Sequence, residues 1–297
     1  MGGGIVLGSV TLIGGEPGIG KSTLLLQLAL KMKKKILYVS GEESASQIKM
    51  RADRLTELQN PHCYLFTETS VEKILHEAKK LKPDFVIIDS IQTLQSQLIE
   101  SSPGTVSQIR ECSNEIIKFA KDTNTPVFLV GHITKEGSIA GPKTLEHMVD
   151  VVLNFEGDRY GGFKVVRAVK NRYGSTSEAA IFEMSEKGLQ IVENPSAALL
   201  AERQNTDGSI ILATLEGTRP ILVEIQALVS TSNFGYPKRA ASGFDLNRLN
   251  LLVAVIQQRT KLDLSDKDIF VNVVGGLKIN DQAADLAVAM AIASAAA

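Results

Sequence analysis

The stretch Gly15-Glu16-Pro17-Gly18-Ile19-Gly20-Lys21-Ser22 reads G-x-x-x-x-G-K-S. The apolar run Val10-Thr11-Leu12-Ile13 precedes it, and the helical pattern Thr23-Leu24-Leu25-Leu26-Gln27-Leu28-Ala29-Leu30 follows. Strand, glycine loop and helix in that order are the context of a phosphate-binding P-loop. The glycines allow backbone N–H groups to approach phosphate at φ values a Cβ would resist. The helix N-terminus adds its partial positive charge to the anion site. Gly15, Gly18, Ile19, Gly20, Lys21, Ser22 and Thr23 are therefore the expected nucleotide contacts, ATP or ADP. Lys21 reaches the β- and γ-phosphates and the Ser22 hydroxyl binds Mg²⁺. A glycine turn before an ordinary helix would also fit the glycines; the agreement of motif and context favours the P-loop.

Further along, Phe85-Val86-Ile87-Ile88-Asp89-Ser90 reads as a buried strand ending in a carboxylate. Ligands of open parallel sheets sit beyond the carboxyl ends of the strands. Asp89 is therefore expected near the P-loop, provided the strands neighbour, where it would hold Mg²⁺ directly or through water. The run Ile36-Leu37-Tyr38-Val39-Ser40 ends in Gly41-Glu42-Glu43-Ser44. A carboxylate there can orient and activate the attacking water, and Glu42 is placed ahead of Glu43 for that role. The pair also suits a helix N-terminus. Pro126-Val127-Phe128-Leu129-Val130-Gly131-His132 is another strand, and His132 at its end either senses the γ-phosphate or is a core histidine.

The chain has 297 residues, 44% apolar and 22% charged, with a formal net charge of −1. That length suits two domains, or one large one. With no global basic field, any nucleic acid has to be held by local patches or by a symmetric ring. No apolar run reaches the length of a membrane span and no signal peptide is visible, so the reading is cytoplasmic with no membrane partner. Cys63 and Cys112 lack zinc or redox spacing and read as small buried apolar residues. Both ends read as cut: Met1-Gly2-Gly3-Gly4 leads almost directly into a strand, and the chain stops inside a helical pattern.

Between the nucleotide motifs, helices are expected over 45–58, 70–81 and 105–122, with Ser44 and Ser70 as caps, and a strand at 63–66. Segment 91–104 is polar and aperiodic and reads as a long loop, functional or mobile. Segment 134–143 is a second polar loop in which Lys135 and Lys143 can contact phosphates of a strand threaded past it, or remain solvated. Three β-rich runs follow at 151–155, 163–169 and 180–184. Lys170-Asn171-Arg172-Tyr173-Gly174 ends the middle one. Its two cations are either a surface feature or fingers that reach a neighbouring subunit's γ-phosphate. The pattern restarts near Glu193-Asn194-Pro195, giving strands at 209–215, 220–229 and 269–274 and helices at 247–259 and 282–296. No Ser/His/Asp or Cys/His arrangement is visible in this second part.

Together these motifs resemble the bacterial RadA (Sms) family of DNA repair and recombination proteins. The carrying residues are the run from Leu12 to Gln27; Val39-Ser40-Gly41-Glu42-Glu43-Ser44; Gly131-His132-Ile133-Thr134-Lys135-Glu136-Gly137 with Ala140-Gly141-Pro142-Lys143; and Lys170-Asn171-Arg172-Tyr173-Gly174, similar to a K-N-R-F-G signature with Tyr173 for Phe. The resemblance implies an α/β chain: a RecA-like P-loop ATPase domain with a mainly parallel sheet over 1–193, then an incomplete Lon-protease-like domain over 194–297. It implies a homohexameric ring, a DNA-dependent ATPase with helicase-like movement on single-stranded DNA, and branch migration of branched DNA together with RecA recombinase. It also implies that Lys170 and Arg172 act across the subunit interface. The family's four-cysteine zinc finger has no counterpart here, so its structural zinc is not expected. Where Lon proteases carry a nucleophilic serine, the chain reads Asp281-Gln282-Ala283-Ala284-Asp285-Leu286, which implies a non-proteolytic scaffold. Arg219, Lys238, Arg239 and Arg248 are either contacts for duplex DNA or ordinary surface charges. The competing functions are a nucleotide-dependent assembly factor in which ATP only closes the ring, a Lon-type peptidase, and a DnaB-like helicase.

Overall fold

Alternating apolar strands and amphipathic helices in the first half of the chain build parallel βαβ units. A computed structural model describes residues 4–55, 60–132, 145–157, 162–201, 203–232, 236–279 and 281–297. By internal contacts the chain divides into two units, Met1–Arg159 with Lys164–Ile191, and Tyr160–Phe163 with Val192–Ala297.

The first unit runs β1 (Val10–Gly15), α1 (Lys21–Lys31), β2 (Ile36–Ser40), α2 (Ala45–Arg54), β3 (Cys63–Thr67), α3 (Val71–Leu81), β4 (Phe85–Asp89), α4 (Val106–Thr123) and β5 (Val127–His132). Then come β6 (Val151–Gly157), β7 (Phe163–Asn171), β8 (Ala179–Ser185) and β9 (Gly188–Ile191). All nine strands share one sheet in the order β3-β2-β4-β5-β1-β6-β7-β8-β9. From β3 to β6 every pairing is parallel; β7 and β9 run antiparallel to β6 and β8.

Side chains alternate across a strand, so a strand buried on both faces must be apolar throughout. Apart from Thr11 and the terminal Ser40, Asp89 and His132, β1, β2, β4 and β5 meet that requirement. Leu12, Leu37, Val39, Val86, Ile88 and Leu129 pack on one face against Ile74 and Ala78 of α3 and Ile109, Cys112 and Ile116 of α4. Ile13, Tyr38, Ile87 and Val130 pack on the other against Leu25, Leu26 and Ala29 of α1 and Ile48, just upstream of Leu55, at α2. Helices α2, α3 and α4 are N-capped by Ser44, Ser70 and Thr105, whose hydroxyls accept from the N3 amides Gln47, Lys73 and Gln108. At α2 this is a full capping box, with Gln47 reaching back to the Ser44 amide. The helix expected over 45–58 ends earlier, at Arg54; Leu58 lies outside the described residues.

Segment 91–104 carries no regular element beyond a 3-10 turn at Ile91–Thr93, but it is tied down. The buried Gln108 side chain accepts from the Ser96 amide and donates to the carbonyls of Ser96, Ile99 and Ser101. Glu72 accepts from Ser96 Oγ and the Gln97 amide, while Leu98 between these anchors is 70% exposed. Both cysteines behave as apolar residues: burial pushes the Cys63 thiol up to about 11 and the Cys112 thiol up to about 12.

The second unit comprises α5 (Pro195–Leu199), β10 (Ser209–Glu216), β11 (Arg219–Thr231), β12 (Arg239–Ser242), α6 (Leu246–Arg259), β13 (Lys267–Val273) and α7 (Ala284–Ala296). Its sheet has the order β10-β11-β13-β12, antiparallel except for the β12–β13 pair. Ile221, Val223 and Ile225 alternate inward along β11, and Leu249, Val253, Val288 and Ile292 of the two long helices are buried. Short elements such as β9, α5 and β12, four or five residues each, carry no apolar run that marks them in the sequence. No helix among the described residues is long and apolar enough to cross a membrane.

Candidate functional site

The parallel strands end together. Gly15 pairs with His132 and Ser40 with Asp89, so the ends of β1, β5, β4 and β2 form one edge. β5 lies between β4 and β1, so Asp89 is not on the strand next to the P-loop strand. It stands two strand spacings away, about 10 Å across the sheet. The charge still reaches: Asp89 and Glu42 both act on the Lys21 ammonium.

The P-loop follows β1 directly. Gly18 and Gly20 have φ of +79° and +116°, and Gly20 is the N-cap of α1. A Cβ on Gly15 would lie 2.5 Å from the Phe155 carbonyl oxygen, so that position tolerates no side chain. Ile19 is buried in the core, which pins the loop; Ser22 and Thr23 are half-buried on the first turn of α1. Lys21 is buried, and its Nζ donates to the carbonyls of Gly15 at 2.8 Å and Glu16 at 2.9 Å. Burial lowers its pKa to about 8, against the pull of Asp89, Glu42 and Glu16. An ammonium has three donors; with two spent on carbonyls, one is left for an anion. These residues fit a nucleotide triphosphate tail.

Asp89 is buried at the end of β4, and its Oδ2 accepts from the Tyr38 hydroxyl at 2.8 Å. That leaves Oδ1 for other partners. Among the described residues no group of three or more His, Cys, Asp or Glu side chains is placed to hold a metal by itself. Mg²⁺ shared with phosphates needs fewer protein ligands, typically one or two carboxylates plus water. The Asp89 carboxylate and the Ser22 hydroxyl fit that donor set.

Glu42 lies just beyond β2. Its Oε1 accepts from Ser90 Oγ at 2.5 Å and contacts His132 Nε2 at 3.2 Å. The bond with His132 holds the carboxyl down at about 2, against burial and with help from Ser90. The side chain is 44% exposed, so water reaches it. Glu43 is committed elsewhere: it forms an ion pair with Arg51 of α2, and its backbone bonds the Ser40 hydroxyl. Gly41, just before Glu42, has a reason to be glycine, because an added Cβ would meet Thr93 Oγ1 at 2.0 Å.

Lys170 and Arg172 lie elsewhere. Asn171 pairs with Val151, which pairs with Thr11 near the start of β1. They stand at the opposite end of the sheet, about 13 Å or more along the strands from Gly15. Lys170 Nζ donates to the carbonyls of Glu146 at 2.6 Å, Val149 at 2.8 Å and, at 3.4 Å, His147. Arg172 Nη1 donates to Asp150 Oδ1 at 3.1 Å, and Asp150 Oδ2 accepts from the Val10 amide at 3.0 Å. Within one chain these cations cannot touch the phosphates bound at the P-loop. Segment 134–143, with Lys135 and Lys143, lies outside the described residues. In the second unit Arg248 is ion-paired with Asp285 at 2.6 Å and stacks 5.4 Å from the Phe244 ring centroid.

Sequence reasoning missed Tyr38, Ser90 and Thr93, the side chains that hold Asp89, Glu42 and Gly41. The only sequence signal is that each sits within a few residues of a recognised motif.

A family model described as an AAA domain matches residues 1–138. Among solved structures, the fold is similar to a crystal structure of the RadB recombinase, with TM-score 0.50 and 24% identity over 65% of this chain and 94% of that one. That likeness concerns the fold, which is RecA-like. The chain is 54% identical to DNA repair protein RadA of Bacillus subtilis over 99% of its own length and 65% of that protein's. The values for RadA of Aquifex aeolicus are 51%, 99% and 66%. The chain thus spans about two thirds of the length of these relatives. With 52% identity to DNA repair protein RadA of Streptococcus pneumoniae, over 99% of this chain and 70% of that protein, the chain belongs to the RadA family.

Proposed function

We propose that this chain is the ATP-hydrolysing part of a ring-forming motor that acts on single-stranded DNA during recombinational repair. The observation that carries the reading is the sheet edge where Lys21, Asp89 and Glu42 converge while Lys170 and Arg172 stand at the far end. The P-loop amides and Lys21 bind the triphosphate. Ser22 and Asp89 would hold Mg²⁺, which would supply charge neutralisation to the triphosphate. Glu42 accepts a hydrogen bond from the attacking water; with a pKa near 2 it orients that water rather than stripping its proton beforehand. Lys170 and Arg172 of one subunit stabilise the transition state at its neighbour's nucleotide, which a homohexameric ring permits. Segments 91–104 and 134–143 contact the DNA backbone. The setting is the bacterial cytoplasm, with RecA recombinase and branched DNA as partners.

The second unit, over 194–297 in this reading, is a Lon-protease-like scaffold without peptidase activity. Asp285, near the place of the protease nucleophile, is spent on Arg248. That pairing also takes Arg248 out of the set offered to duplex DNA.

The test is ATP turnover with and without single-stranded DNA at low and moderate salt. Stimulation that weakens with salt is the expected result, because phosphate contacts release counterions. Basal turnover with no stimulation contradicts the motor and favours the ring-closing assembly factor.

A further inference from the structure

The carboxylate of Glu42 is held from two neighbouring strand ends, and the two holds differ. Ser90, the residue after β4, is fully buried, and its hydroxyl donates to Oε1 at 2.5 Å. Its backbone is fixed as well: the Ser90 carbonyl accepts from Thr93 Oγ1 at 2.8 Å and from the Thr93 amide at 3.3 Å. Thr93 fills the space beside Gly41, and the Gly41 amide donates to the Asp89 carbonyl at 3.0 Å. The backbone before Glu42 and the backbone around Ser90 are therefore bonded to each other. His132, the last residue of β5, approaches the same oxygen at 3.2 Å, and its Nδ1 is buried with no partner among the described residues. An imidazole with an unmet hydrogen bond gains by moving to a site that satisfies it.

We propose that Ser90 is a positioning residue for ATP hydrolysis: its hydroxyl holds Oε1 of Glu42 so that Oε2 alone faces the attacking water, while His132 is an exchangeable second partner of Oε1. The inference rests on Glu42 being the carboxylate that orients water. A short hydroxyl–carboxylate bond is charge-assisted and directional. It removes the rotation of the carboxyl group that would otherwise have to be frozen in the transition state. Ser90 is fully buried and its hydroxyl is spent on Glu42, so its effect on hydrolysis passes through Glu42.

The test compares Ser90→Ala, Glu42→Gln and the double variant, reading single-turnover ATP hydrolysis and the affinity for a fluorescent ATP analogue separately. Ser90→Ala is expected to slow hydrolysis by about tenfold with nucleotide affinity within about twofold of wild type. The double variant is expected to be no slower than Glu42→Gln alone. Ser90→Cys keeps the volume but donates weakly; it should fall between wild type and Ser90→Ala, which covers the case in which alanine disturbs folding. Unchanged hydrolysis in Ser90→Ala overturns the proposal. So does a double variant slower than Glu42→Gln by the full Ser90→Ala factor, since Ser90 would then act independently. Wild-type turnover in Glu42→Gln is a different failure, that of the Glu42 assignment itself.

Discussion

The two ends of the main sheet carry the same kinds of residue and put them to opposite uses. At one end Lys21 is buried with a donor to spare, Asp89 keeps one oxygen open, and Glu42 keeps Oε2 open. At the other end Lys170 is saturated by three carbonyls, and the buried Asp150 divides its oxygens between Arg172 and the Val10 amide. One end is built with unmet bonding capacity and the other with almost none. Unmet capacity is costly without a ligand, and it is what a binding site retains. Within the single chain the far corner is structural; the role in hydrolysis proposed for its motif requires a second subunit to receive it.

The widest gap between the two ends is expected with alanine at each lysine. Lys21→Ala should lower ATP turnover by about 100-fold or more, the scale for losing a charge-stabilising donor. Its melting temperature should stay level or rise, because burying an ammonium costs stability. Lys170→Ala should instead lower the melting temperature, and steady-state turnover with a scanning-calorimetry trace on each variant reads the contrast. A Lys21→Ala protein that melts early places that residue among the structural ones.

Next in size is Asp150→Ala, which strips the Val10 amide and Arg172 of their acceptor. A loss of about 2 kcal/mol in urea unfolding is expected, in the range for a buried donor left unpaired, with nucleotide affinity unchanged. Loss of nucleotide affinity in a folded Asp150→Ala protein would couple the two ends and break the distinction between them. Gln108→Ala acts on segment 91–104 rather than on either end. It frees three carbonyls and one amide, some of which water can satisfy, for a cost of about 1–2 kcal/mol. DNA stimulation of turnover should fall more than basal turnover; an equal fall in both would detach that segment from DNA.

The smallest effect is a pH slope. A lysine whose folded pKa is lowered binds fewer protons folded than unfolded between its two pKa values, so stability rises with pH there. For Lys21 that window runs from about 8 up to its ordinary 10.5. Raising the pH from about 7.5 to about 9 should stabilise the protein by about 1 kcal/mol relative to Lys21→Met. Parallel pH curves for the two proteins would mean that the ammonium is not desolvated.

Much of the ligand edge is legible in the sequence because its elements are local. Glycine loop, lysine and serine are contiguous, and a strand that ends in aspartate announces itself. The side chains that hold the edge together are not legible, because they depend on strand order. Tyr38 meets Asp89, and Ser90 meets Glu42, only because β2 and β4 are neighbours, and His132 reaches Glu42 because β5 lies beside β4. Segment 91–104 reads as a long loop because its tethers are polar side chains on α3 and α4, Glu72 and Gln108, invisible to any hydropathy pattern. Lys170 looks like a surface cation from composition alone; the register of β6 against β7 seats it over the carbonyls of residues 146–149.

The division between the two ends is tested most directly by mixing two inactive variants, Glu42→Gln and Lys170→Ala. Each alone should hydrolyse ATP slowly. If one subunit's Lys170 completes its neighbour's site, mixed assemblies contain interfaces with an intact Glu42 on one side and an intact Lys170 on the other. Turnover of the mixture should then exceed the sum of the separate rates. A mixture no more active than that sum, under conditions where subunits demonstrably exchange, would contradict the account.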